Sequence, residues 1–127
     1  MTGFDMTKEQ AIHQFWSNFG LPAYDSTTVD EDAEMPYITY DVSTGSINDF
    51  ILLTGSIWYR STSWNAVTQK AHEIEEYLTT ISPPAIKIDG GRAYFTKGTP
   101  FSQRMSEPGD DFVRRIYIQV NAEFLTN

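Results

Sequence analysis

Apolar positions along the chain fall into two helical stripes and a series of alternating runs. From Thr7, Ala11, Ile12, Phe15, Trp16 and Phe19 recur at helical spacing. The Thr7 hydroxyl can cap this helix, Gln10 three residues on completes a capping box, and Gly20 with Leu21-Pro22 stops it. The segment from Ala23 to Glu34 is polar and aperiodic and reads as a loop. After Pro36 the period changes to two: Ile38, Tyr40 and Val42 point one way, and Tyr37, Thr39 and Asp41 the other. Turn chemistry fills Ser43 to Asp49. Phe50 to Arg60 then carries β-formers on both faces, as expected of an interior strand or one that meets a partner, with Gly55 marking a bulge or bend. Ser61 or Ser63 can cap a second helix whose seam is Trp64, Val67, Ala71, Ile74, Leu78 and Ile81, and Pro83-Pro84 ends it.

The C-terminal third reads as strands. Ala85 to Asp89, with Ile86 and Ile88 inward, turns at Asp89-Gly90-Gly91 into a returning strand from Arg92 to Lys97. Gly98 to Asp111 holds two prolines and two glycines and reads as a long mobile excursion, not an element. The last strand alternates cleanly: Phe112, Arg114, Ile116, Ile118, Val120, Ala122 and Phe124 on one face, and Val113, Arg115, Tyr117, Gln119, Asn121 and Glu123 on the other. The order helix, strand, strand, helix, strand, strand, strand predicts a single α+β domain. Its sheet should be mixed but rich in antiparallel pairs, with both helices packed on one face.

Bulk properties narrow the function. At 127 residues the chain is one domain by length. The absence of cysteine removes disulfide frameworks, cysteine-ligated metals and thiol catalysis. No apolar run is long enough to span a bilayer and no secretory leader is evident, so a soluble protein made in a cytoplasm is expected. Seventeen acidic against nine basic residues give a net charge of −8, which disfavours tight general binding to nucleic acid. Aromatics make up 14% of the chain, more than one small core requires and suited to contact surfaces in an assembly.

Candidate chemistry is thin. His13 has Trp16 and Glu9 within a turn and His72 sits among Lys70 and Glu73, but neither belongs to a metal-ligand spacing. The run Asp30-Glu31-Asp32-Ala33-Glu34 offers oxygens to a hard cation yet lacks the glycine and the later bidentate Glu of a calcium loop, so it reads as a solvated acidic loop. Glu107, Asp110 and Asp111 read as exposed loop carboxylates, and no nucleophile elbow or phosphate loop occurs. The chain is therefore expected to be no enzyme and to use no metal or cofactor. Arg92, Arg104, Arg114 and Arg115 form the main basic grouping, expected to pair with carboxylates of a neighbouring subunit or to face solvent.

Several segments together resemble the tail terminator, or tail completion, proteins of long non-contractile-tailed bacteriophages. They are the amphipathic first helix, Met35-Pro36-Tyr37-Ile38-Thr39-Tyr40 entering a strand, the helix from Trp64-Asn65 to Ile81, the hairpin from Ile86 to Phe95, and the final Arg114-Arg115-Ile116-Tyr117-Ile118-Gln119-Val120. The resemblance implies a homo-oligomeric ring, a hexamer, that caps the tail tube, ends its polymerisation and offers the head connector a docking surface. Its partners would be further copies of itself, the major tail tube protein and a head-completion protein, with DNA only as passing cargo and no membrane. Its place would be the tail-neck junction of the virion, after assembly in the bacterial cytoplasm. Trp58, Tyr59, Arg60, Phe101, Gln103, Arg104, Arg115 and Tyr117 are the expected contacts with neighbouring subunits or the tube. A head-closure or connector protein of the same neck, or a non-viral α+β binding module, is the alternative.

Overall fold

The computed structural model describes residues 6–41, 50–80 and 84–126. Val42, the turn assigned to 43–49, Ile81 and Pro83 lie outside them. Helix α1 spans Lys8–Trp16 and begins with the expected capping box: Gln10 N–H donates to Thr7 Oγ1 at 3.1 Å and Thr7 N–H to Gln10 Oε1 at 2.9 Å. A 3-10 turn over Ser17–Phe19 follows, and Gly20, at φ 76°, ends the segment in the left-handed conformation that glycine adopts without penalty. The six strands are β1 (Ala23–Asp25), β2 (Tyr37–Asp41), β3 (Phe50–Arg60), β4 (Ala85–Ile88), β5 (Gly91–Met105) and β6 (Val113–Thr126), and α2 covers Asn65–Thr80 between β3 and β4. They form one sheet in the order β1-β2-β3-β6-β5-β4, antiparallel throughout except for β1 and β2. The fold is α+β with a mixed, antiparallel-rich sheet.

Both helices pack on one face. Directly paired residues share a face, so Tyr40, Gly55 and Ile118 lie together, as do Leu53 with Val120 and Ile57 with Ile116. Trp16 lies against Gly55, and α2 crosses β3, β6 and β5 with Val67, Ala71, Ile74 and Leu78 buried. Phe15 stacks on Phe95 at 4.5 Å between centroids and meets Trp16 edge-on at 5.0 Å. Before α2, Ser63 Oγ accepts from Asn65 N–H and Ser61 Oγ from Ser63 N–H, so the two candidate caps act in series.

Four sequence expectations are corrected. The stretch from Ala23 is not all loop: Ala23–Asp25 pairs in parallel with Ile38–Tyr40, a three-residue edge strand too short to show a period. Gly55 makes no bulge, since it keeps register with both neighbours. A Cβ there would lie 2.9 Å from the Trp16 ring and 3.1 Å from Thr39 O, so the glycine admits α1 close to the sheet. The segment from Gly98 is an element: β5 runs on to Met105 after a shift in which Lys97 to Ser102 oppose only Val120 to Ile118, leaving three extra residues on β5. Finally, β6 begins at Val113, which is buried, while Phe112 precedes it and is 56% exposed. From Ile116 onwards the expected alternation holds.

Candidate assembly face

The opposite face of the sheet carries no described helix, and its side chains form cross-strand rows. One row is Tyr37, Trp58, Arg115 and Met105; the next is Thr39, Ser56, Tyr117 and Gln103. Tyr24 of β1, paired with Thr39, extends the second row and meets Tyr37 of the first edge-on at 5.7 Å, and Tyr37 lies 6.4 Å from Trp58. The indole N–H of Trp58 donates to Thr39 Oγ1 at 2.9 Å, which fixes the ring across two strands. The Arg115 guanidinium lies over that ring at 4.7 Å.

Arg115 is held on three sides. Its Nε–H donates to Ser56 Oγ at 2.9 Å and one terminal nitrogen to Glu107 at 3.0 Å, while Trp58 supplies the flat support. Ser56 is the one buried polar residue among those described, and this bond satisfies it. Glu107 reaches the row from the 106–112 turn, where Phe112 N–H donates to Asp110 Oδ1 at 2.9 Å. The result is a chain of aromatic rings, Tyr24, Tyr37 and Trp58, leading to one neutralised cation, chemistry suited to burial against another protein.

Trp58, Arg115, Tyr117 and Gln103, four of the eight expected contacts, thus stand side by side. Arg60 sits at the end of this face in an ion pair with Asp110 at 3.5 Å and borders a cleft with Ala33, Glu34 and Met35. The other three point to the helix side. Tyr59 is half-buried against the core, and Phe101 lines a groove of about 180 Å³ between α2 and β5 with Thr68, His72 and Glu75. Arg104 stacks on Trp64 at 4.7 Å, with Arg114 against the same ring at 5.4 Å. The sequence reading missed Tyr24, Tyr37, Thr39, Ser56 and Glu107 as parts of the face. Tyr37 and Thr39 could have been found from the outward set of their strand; Ser56 and Glu107 carry no local signal.

The histidines stand apart from this face. His13 Nδ1 lies 2.8 Å from the Tyr40 hydroxyl, and His72 lies 3.6 Å from Glu75 on the exposed side of α2. Glu9, which the sequence offered to His13, is not the partner it takes. Burial first, and then the nearby Asp25 charge, push the Tyr40 hydroxyl pKa above its ordinary value. Asp25 is held below the usual carboxylate range by the Thr27 backbone N–H and then by the Thr27 hydroxyl. Among the described residues no cluster of His, Asp or Glu could hold a metal ion, and no helix is long and apolar enough to cross a membrane. Comparison with known protein families and with curated proteins gives no match.

Proposed function

We propose that the protein is a structural assembly protein of a bacteriophage tail: copies form a ring that caps the tail tube, stops its growth and presents the surface to which the head joins. The observation that carries this reading is the sheet face without a described helix, on which Tyr24, Tyr37 and Trp58 form a chain of rings that ends on a locked Arg115, with Tyr117 in the next row. A sheet face that carries half-buried aromatics and, among the described residues, no helix places apolar area where a partner can cover it. We assign this face to the end of the tail tube. The net charge of −8 suits a ring through which DNA passes, because like charges do not stick.

Electron microscopy of particles made without this protein tests the reading. Tails longer than normal are the expected result. Tails of normal length beside unattached heads would move the protein to head closure, and normal joined particles would end the proposal.

A further inference from the structure

Arg104 and Arg114 both lie against the Trp64 ring, at 4.7 and 5.4 Å, and neither has a carboxylate in ion-pair range, although acidic residues outnumber basic ones by seventeen to nine. Arg114 is fixed by neutral acceptors only, its terminal nitrogens donating to the carbonyls of Asp111, Val113 and Thr62 at 2.9, 3.1 and 3.0 Å. Its Nε is buried and unpartnered. Arg104 is exposed, and its recorded contact is the Trp64 ring. Arg60, Lys70, Lys97 and Arg115 each have a carboxylate within 3.5 Å, whereas neither arginine of this stack does.

Exposed negative charge lies at the same end of the sheet, in the loop before β2. Asp30, Glu31, Asp32 and Glu34 are all exposed and make no ion pair with a described residue. Asp30 holds the loop in shape by accepting Asp32 N–H at its side chain and Ala33 N–H at its carbonyl, both at 3.0 Å. The loop leads into β2 at Tyr37, and Arg104 lies near the end of β5. Tyr37, Trp58, Arg115 and Met105 form one row across the sheet, so the start of β2 and the end of β5 stand at one level, three strand spacings or about 14 Å apart. Within one chain the loop makes no ion pair with Arg104 or Arg114.

The geometry points to a head-to-tail contact in which the Asp30–Glu34 loop of a second copy docks on the Arg104–Trp64–Arg114 stack of the first. Two different patches of opposite charge on one chain define a heterologous interface, the kind that repeats from copy to copy and makes a ring where the rotation closes. Arginines pre-set on an aromatic ring meet carboxylates with little further ordering, and charge complementarity fixes which patch meets which. The inference rests on the self-assembly reading above, but not on what the ring caps.

Charge reversal tests it on the full chain by sedimentation analysis, with circular dichroism to verify folding. Arg104→Glu, and separately Glu31→Lys/Asp32→Lys/Glu34→Lys, which spares the structural Asp30, should each weaken self-association by about tenfold or more. An equimolar mixture of the two variants should restore it, because in an alternating ring every contact again pairs opposite charges. The chain carrying all four changes should also associate. Variants that associate like the wild type, a mixture that stays dissociated, or a wild-type chain that is monomeric throughout would overturn the inference. Tail length in the phage experiment is read independently, so the two ideas can fail separately.

Discussion

Tyr40 ties two parts of the molecule together through one hydroxyl. Its ring is buried on the helix side, parallel to Trp16 at 6.4 Å, while its hydroxyl emerges beside His13. Burial and the Asp25 charge disfavour the phenolate, so the folded pKa lies above the ordinary 10.0. The sign follows from proton counting: above pH 10 the unfolded chain has released a proton that the folded chain still holds, so stability falls as pH rises until the folded value is passed. Tyr40→Phe is expected to flatten this alkaline decline and to cost about 0.5–1.5 kcal/mol near neutrality through the lost bond to His13. Urea unfolding across the alkaline range measures both; a decline of unchanged slope would assign it to another group. Asp25 acts in the opposite sense, contributing stability above the carboxylate range that is lost in acid, because its folded pKa is depressed.

At the scale of elements, the upper half of β5 shows how a breaker-rich segment can still be a strand. Gly98 passes so close to β6 that a Cβ would lie 2.8 Å from both Gln119 Cβ and Gln119 O. Gln119 in turn donates to Pro100 O at 2.8 Å, and the extra residues bulge outward before pairing resumes at Ser102 with Ile118. Gly98→Ala should therefore destabilise the fold by about 1–3 kcal/mol, since backbone and not a flexible side chain must yield; chemical denaturation gives the value, and a neutral result would mean that the strands can separate locally at no cost. The same segment marks where sequence reading stops. Helix α1 and the end of β6 were legible because Phe15, Trp16, Ile118 and Val120 each repeat a period over several turns or pairs. Gly98 and Pro100 gave turn signals that are locally correct and wrong for the element, because the partner strand absorbs the irregularity. β1 was illegible for a different reason: three half-buried residues at an edge depend on β2 for their conformation. Of the assembly face, Trp58, Arg115, Tyr117 and Gln103 were legible as outward positions, but their grouping depends on a register that only the folded sheet sets.

For the whole molecule, the proposed function gives the two faces of the sheet different tasks, stability on one and assembly on the other. The helix side holds the fully buried Trp16, Phe15, Phe95 and Phe124, each worth about 1.5–3 kcal/mol or more of transfer free energy. The open side holds half-buried rings whose loss the fold can tolerate. Trp58→Ala with Tyr117→Ala should cost about 1–3 kcal/mol together, within the usual 5–15 kcal/mol of a domain, so the chain should remain folded. The same pair of changes removes two adjacent aromatic anchors and frees Arg115 from its support, and losses of this kind at the centre of an interface commonly exceed 2 kcal/mol each, or about thirtyfold in affinity. Supplied to phage lacking the protein, this variant should leave tails overlong while its self-association in solution stays close to wild type. Arg104→Glu should show the reverse order of effects, weakening self-association first, because it lies on the flank and not on the open face. A face variant that caps tails normally would free Trp58 and Tyr117 from the tube contact and leave the flanks to account for assembly alone.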